Sequence, residues 1–82
     1  MNPFQVLLFA QVRESAGHDT ITLELPTGAT VADLRQALVR RLPNSASLIL
    51  PSMIAVNESY VADHFVLPPS AEIACIPPVS GG

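Results

Sequence analysis

The last six residues of the sequence, Pro77-Pro78-Val79-Ser80-Gly81-Gly82, combine residue types that could present a reactive carboxylate. Glycine has no Cβ, so a glycine pair can pass through a channel too narrow for other residues. The two prolines lack backbone N–H groups and fix the φ angle, so they end strand pairing and keep the chain extended. A carboxylate is inert until an ATP-dependent enzyme converts it to an acyl-adenylate. We therefore predict that residues 77–82 form an extended tail whose working group is the carboxylate of Gly82.

The cysteine and histidine residues are weaker candidates for chemistry. Cys75 is the only cysteine, which excludes an internal disulfide and a cysteine-based metal site. It stands between Ala74 and Ile76, so we predict that it packs in the core. His18 and His64 each stand beside an aspartate without further ligands nearby, and we predict that both lie on the surface. No metal site is expected.

The composition restricts the classes of function. The chain has 82 residues, a formal net charge of −3 at pH 7, and four arginines but no lysine. A chain of this length is expected to fold as one domain, residues 1–82. It lacks the basic stripe of a nucleic-acid-binding protein, the apolar stretch of a membrane span and the basic region that opens a signal peptide. Together with the single cysteine, these features predict a cytoplasmic protein that binds neither nucleic acid nor membrane.

The first third of the chain predicts two paired strands. Residues Phe4–Val12 (FQVLLFAQV) form an almost continuous apolar run, which is typical of a strand buried on both faces. Residues Thr20–Leu25 (TITLEL) alternate between polar and apolar side chains, which is typical of a half-buried strand. The RESAGHD segment between them is predicted to be the turn of a hairpin. Arg13 and Glu14, at the end of the first strand, form either a solvated pair or a partner contact.

A helix is predicted over residues Val31–Leu42. Thr30 is a suitable N-cap, and Asp33 occupies the capping-box position three residues later. Pro43 is expected to end the helix. One apolar stripe at helical spacing runs along it, formed by Val31, Leu34, Leu38 and Leu42.

The second half of the chain predicts short strands joined by turns. A loop over Asn44–Pro51 is followed by strands over Met53–Val56, Tyr60–Val61 and Glu72–Ile76. A right-handed crossover through the helix then gives an α+β fold, in which a mixed sheet carries one main helix across one face. This is the β-grasp, or ubiquitin-like, arrangement, with the last strand beside the first in the middle of the sheet.

One face of this sheet is predicted to stay open to a partner. Successive side chains of a strand point to opposite faces, and both sets are apolar in the first and last strands. A single helix covers one set, so the other leaves an exposed patch of Phe9 and Ile76, with Tyr60 and Leu7 as further candidates. Alternatively, residues 43–51 fold over this patch.

Four segments together resemble the small subunit of molybdopterin synthase, the MoaD family of sulfur carriers. They are FAQVRE at residues 9–14, VADLRQAL at 31–38, AVN at 55–57 and EIACIPPVSGG at 72–82. The similarity extends over almost the whole chain, and FAQVRE and PPVSGG are its most specific parts.

The resemblance implies a role in molybdenum cofactor biosynthesis. In this family an E1-like adenylyltransferase uses ATP to adenylate the C-terminal carboxylate, and a sulfur donor such as a cysteine desulfurase or rhodanese system supplies the sulfur of a thiocarboxylate. The tail then enters the large subunit, in a heterotetramer of two small and two large subunits, and donates sulfur to cyclic pyranopterin monophosphate. Catalytic lysines and arginines belong to the large subunit. The resemblance thus implies that the chain supplies the sulfur, binds no cofactor itself and contacts ATP only when it is bound to its activating partner.

Matching positions imply which residues act. Gly82 would carry the adenylate and then the thiocarboxylate, and Gly81 would let the tail thread into a partner. The implied partner-binding residues are Phe9, Arg13, Tyr60, Ile76, Pro77, Pro78, Val79 and Ser80. Two positions depart from the family pattern: Pro69-Ser70-Ala71 replaces an acidic, glycine-containing turn, and Cys75 stands where the family often has an aromatic residue.

Other functions are compatible with a β-grasp protein that ends in two glycines. It could carry sulfur for thiamin thiazole synthesis or tRNA thiolation, although the usual thiazole carriers are shorter and lack the PPVSGG segment. It could be a protein modifier joined through Gly82 to lysines of other proteins. It could also be a β-grasp domain that only binds, which leaves the glycine pair unexplained.

Overall fold

The computed structural model describes residues 1–78 of the chain. The strands are β1 (Asn2–Leu8), β2 (Thr20–Leu25), β3 (Met53–Val56), β4 (Ser59–Val61) and β5 (Glu72–Ile76). The helices are α1 (Ala10–Ala16), α2 (Val31–Arg41) and α3 (Ala46–Ile49), with a 3₁₀ turn over Pro43–Ser45.

The five strands form one mixed sheet in the order β2-β1-β5-β3-β4. Strand β1 pairs antiparallel with β2, where Val6 faces Ile21, and parallel with β5, where Val6 faces Ile73. Strand β3 completes the centre by pairing antiparallel with β5. The α+β fold is therefore confirmed, with the last strand beside the first in the middle of the sheet.

The prediction that the first strand continues to Val12 is wrong. Strand β1 ends at Leu8, and Ala10, at φ 50°, turns the chain into helix α1. The helix buries Val12 completely and ends at Ala16, and its C-cap Gly17 has a φ of 75°, the left-handed conformation that glycine adopts readily. The hairpin pairing is correct, but its connection is this helix rather than a turn. An apolar run this short has no periodicity that separates a buried strand from a buried helix.

Helix α2 follows the sequence prediction closely and ends one residue earlier, at Arg41. Thr30 and Asp33 form the capping box: the Asp33 N–H donates to Thr30 Oγ1 at 3.3 Å, and the Thr30 N–H donates to Asp33 Oδ2 at 2.9 Å. The N–H groups of Val31 and Ala32 donate to backbone carbonyls of the loop before β5, at 3.0 and 2.9 Å. The first turn of the helix is therefore satisfied by its own cap and by a distant segment.

The segment predicted as a loop over Asn44–Pro51 is mostly helical. It contains the 3₁₀ turn and α3, and it buries Ile49 completely. The Arg35 side chain fixes the end of α3, because its Nη1 donates to the carbonyls of Ile49 at 2.9 Å and Ser52 at 2.6 Å. Nη2 of the same guanidinium bonds Asp63 at 2.9 Å. These contacts join parts of the chain that are far apart in sequence, so local patterns did not reveal them.

One core lies between the sheet and the helices. Its completely buried side chains come from both layers: Val6, Val12, Val31, Leu34, Leu38, Ile49, Ile73 and Cys75. All three helices therefore pack on the same face of the sheet, and no other part of residues 1–78 forms a layer over the opposite face.

Candidate functional site

The predicted tail begins where the central strand ends. Strand β5 finishes at Ile76, and it is followed by Pro77, which is buried, and Pro78, which is exposed. Burial of Pro77 fixes the base of the tail to the domain. Four predicted site residues, Val79, Ser80, Gly81 and Gly82, lie outside the described residues, and their roles stay predictions.

Beside this exit, the open face of the sheet is apolar. The strand register places Leu7, Ala74, Ala55 and Tyr60 in one row across four strands. A second row starts at Phe9, whose N–H donates to the carbonyl of Cys75 at 3.3 Å, and continues through Ile76 to its partner Met53. The apolar patch is defined here as these two rows: Leu7, Phe9, Met53, Ala55, Tyr60, Ala74 and Ile76.

The larger side chains of the apolar patch are accessible to a partner. Phe9 is 41% exposed, Met53 50% and Tyr60 61%, and Ile76 is half-buried. Alanines stand between these larger side chains, and a shallow depression of about 330 Å³ lies over them. The structure thus brings together Phe9, Tyr60 and Ile76, the apolar residues proposed from the sequence.

The alternative in which residues 43–51 cover this patch is wrong. Ile49 of that segment belongs to the core on the helix side of the sheet. Ser45, which is buried, bonds Ser15 of helix α1 through the two hydroxyl oxygens at 2.6 Å. The segment is thereby held on the covered face, and the apolar patch remains open.

The rest of the open face is polar. The next row along the strands contains Thr22, Gln5 and Glu72, and the row beyond it pairs Glu24 with Pro3. The apolar part is therefore confined to the end of the sheet from which Pro77 leaves.

Arg13 does not line the depression. It lies on helix α1, and its side chain is half exposed. Its Nε is 3.9 Å from a carboxylate oxygen of Asp19, so its ion-pair partner in the structure is Asp19 rather than Glu14. A contact between Arg13 and a partner remains a prediction.

Cys75 packs in the core, as predicted. It is completely buried, and burial raises the pKa of its thiol above the ordinary value, while the Ser52 side chain and the charge of Arg35 act in the opposite direction. No arginine stands near Cys75 in the sequence, and the charge of Arg35 acts on this thiol from helix α2. A thiol held neutral by burial is a poor nucleophile.

The histidines also lie where the sequence placed them. His18 and His64 are both exposed. Within residues 1–78, no group of three or more histidine, cysteine, aspartate or glutamate side chains could hold a metal ion. None of the helices in this described part is long and apolar enough to cross a membrane.

Sequence reasoning missed Met53 and Glu58. Met53 belongs to the apolar patch, and Glu58 lines the depression together with Glu72. Alternation in MIAV placed Met53 and Ala55 on one face, but only the pairing with β5 shows which face that is.

Comparisons with known proteins agree with this arrangement. The ThiS family matches residues 6–82. The molybdopterin synthase sulfur carrier subunit of Dictyostelium discoideum is 39% identical over 84 aligned residues, which cover 99% of this chain and 98% of the relative. The structure of SAMP1 from Haloferax volcanii superposes with a TM-score of 0.87 at 28% identity, covering 99% of this chain and 100% of that chain. A putative molybdopterin converting factor, subunit 1, from Pyrococcus furiosus superposes with a TM-score of 0.84 at 30% identity, covering 96% and 100%.

Proposed function

We propose that this chain, which belongs to the ThiS family and to the molybdopterin synthase sulfur carrier subunits, carries sulfur for molybdopterin synthesis. The observation that carries the proposal is the exit of the central strand β5 beside the apolar patch. A partner that binds the apolar patch would therefore lie beside the point at which the tail begins.

The proposed chemistry takes place at the Gly82 carboxylate. The carboxylate attacks ATP on an E1-like partner, pyrophosphate leaves, and an acyl-adenylate forms. Hydrosulfide displaces AMP and leaves a thiocarboxylate directly. When the donor is a protein persulfide, its outer sulfur displaces AMP to give an acyl disulfide, and a thiol then reduces the S–S bond to release the same thiocarboxylate. This group is ionised at neutral pH and is a better nucleophile than a carboxylate, so the sulfur reaches the acceptor already activated. After transfer, hydrolysis of the bond between the Gly82 carbonyl carbon and sulfur restores the carboxylate.

The acceptor side of the proposal is the large subunit of molybdopterin synthase. Its docking site on this chain is the apolar patch, of which Phe9 and Tyr60 are the most accessible aromatic side chains. Each large apolar side chain moved from water into an interface contributes roughly 1.5–3 kcal/mol. The described residues thus provide docking energy, while the tail provides the reacting atom for cyclic pyranopterin monophosphate.

Sulfur loading is tested by intact mass. The chain is incubated with an E1-like enzyme, ATP and a sulfide source, and a variant that lacks Gly82 is treated in the same way. We expect the mass of the full chain to increase by the difference between one sulfur and one oxygen atom, and the mass of the variant to stay unchanged. No gain in the full chain would contradict the proposal.

A second candidate function is protein modification, which the similarity to SAMP1, a small archaeal modifier protein, supports. In this case the Gly82 carbonyl forms an isopeptide bond with a lysine of another protein. The two functions differ in the acceptor, so the activated chain is offered both the precursor with the large subunit and lysine-containing proteins. Molybdopterin without protein adducts supports sulfur delivery, whereas adducts without molybdopterin support modification.

A further inference from the structure

The turn between β3 and β4 places a glutamate, Glu58, in a backbone conformation that glycine normally adopts. Two residues, Asn57 at φ 50° and Glu58 at φ 71°, connect the paired residues Val56 and Ser59. Positive φ at both positions is the pattern of a type I′ hairpin turn, in which asparagine is common first and glycine is preferred second. Glutamate at the second position has a Cβ that disfavours this conformation.

The same turn places Glu58 at the edge of the apolar patch. The Asn57 N–H donates to the Glu72 carbonyl at 2.8 Å, and Asn57 Oδ1 accepts from the Glu72 N–H at 3.0 Å. These two bonds fix the turn beside the start of β5, and both Glu58 and Glu72 line the depression over the patch. Both are exposed, and neither carboxylate has an ion-pair partner within residues 1–78.

The charges that line this depression are all negative, since its other lining residues are uncharged. A partner that covers the patch removes water from its edge. A carboxylate at that edge then weakens the complex unless a positive group of the partner pairs with it. An acidic side chain of a wrong partner would be repelled at the same place.

We propose that Glu58 determines the specificity of the docking surface by pairing with a lysine or arginine of the large subunit, with Glu72 adding to the negative potential. This inference rests on the proposed function, and it adds the chemistry of the partner: an apolar centre with a basic residue facing the β3–β4 turn.

Charge is tested first, by titrating the large subunit with the wild-type chain, Glu58→Gln and Glu58→Lys at about 20 mM and about 200 mM salt, because exposed charges are screened at the higher value. For Glu58→Gln we expect a rise in Kd of about two- to fivefold at low salt and a weaker salt dependence. For Glu58→Lys we expect a larger rise that salt reduces. Glu24→Gln, on the polar part of the same face, is the control and should leave Kd unchanged.

Backbone conformation provides a second test, in which stability and binding move in opposite directions. Glycine suits the positive φ, so we expect Glu58→Gly to raise Tm by about 2–5 °C. Its Kd should rise as much as that of Glu58→Gln. Ser70→Gly, at a φ of 59° before β5, is the matched control and should raise Tm without changing Kd.

Two failures are distinguishable. If Glu58→Gln and Glu58→Lys bind like the wild type at both salt concentrations, while Phe9→Asp abolishes binding, the assignment of Glu58 is wrong and the proposed function stands. If the wild-type chain itself does not bind the large subunit, the proposed function is wrong and this inference fails with it.

Discussion

The two sides of strand β5 differ in their surroundings more than in their sequence. Ile73 and Cys75 are completely buried under the helices, whereas Ala74 and Ile76 of the same strand lie on the open face. All four side chains are apolar, so residue type does not separate the core from the apolar patch. The separation comes from the placement of all three helices on one face.

This difference predicts two kinds of variant. Changes on the covered face should lower the free energy of unfolding, and changes in the apolar patch or in the tail should reduce function with little effect on folding. A patch or tail variant that unfolds the chain, or a covered-face variant that stays stable but loses function, would contradict this division.

The largest effect is expected from the tail. Deletion of Gly82 moves the carboxylate back by about 3.3–3.6 Å of extended chain, which equals the whole separation of about 3–3.5 Å needed between reacting atoms. Conversion of precursor to molybdopterin should be lost, while Tm stays unchanged. Addition of one residue after Gly82 should be equally damaging. The measurement uses chemically thiocarboxylated full-length, shortened and extended chains with the same large subunit, and equal conversion by all three would contradict the prediction.

On the covered face, Leu38→Ala should destabilise the fold strongly. Leu38 is completely buried in helix α2, so truncation leaves a cavity and should cost about 2–5 kcal/mol of unfolding free energy. Thermal and urea unfolding measure this cost. If the variant is still folded at the assay temperature, its affinity for the large subunit should match that of the wild type, and a large loss of affinity would show that the two faces are coupled.

On the open face, Phe9→Asp and Ile76→Asp should leave the chain folded and weaken binding of the large subunit at least about 30-fold, because a charge would be buried at the centre of the interface. Thr22→Asp, on the polar part of the same face, is the matched control. Circular dichroism verifies folding, and calorimetry gives the affinity. Unfolding of Phe9→Asp and Ile76→Asp would instead assign these side chains to the core.

The smallest effect concerns Cys75. Burial raises the pKa of this thiol in the folded state above the ordinary value of 9.0. Above pH 9.0 the thiol of the unfolded chain loses its proton more readily than the thiol of the folded chain. The neutral thiol's contribution to the unfolding free energy is therefore fully present below pH 9.0 and is lost as the pH rises through the higher folded pKa. The unfolding free energy of the wild type should therefore fall more than that of Cys75→Ala between about pH 8 and about pH 10. Parallel falls would mean that the thiol contributes no pH dependence.

Much of the fold could be predicted because its signals are local. The alternation of TITLEL placed β2 at its observed boundaries, and the Thr30–Asp33 capping box placed the start of α2 at Val31. The prediction failed where an apolar segment without regular spacing followed a strand. Leu8 ends β1 and Phe9 leads into α1, although the sequence around them reads as one continuous strand.

The sequence by itself determined the order of the main elements, the buried stripe of α2, and the residue types on which the proposed chemistry at Gly82 rests. These follow from interactions within a few residues, or from the residue types themselves. The tertiary structure alone decided that α1 and α3 join α2 on one face, that Met53 completes the apolar patch, and that Glu58 stands beside Glu72. These outcomes depend on strand register and on contacts between residues far apart in the chain, and a local pattern contains no information about which distant segment will cover which face.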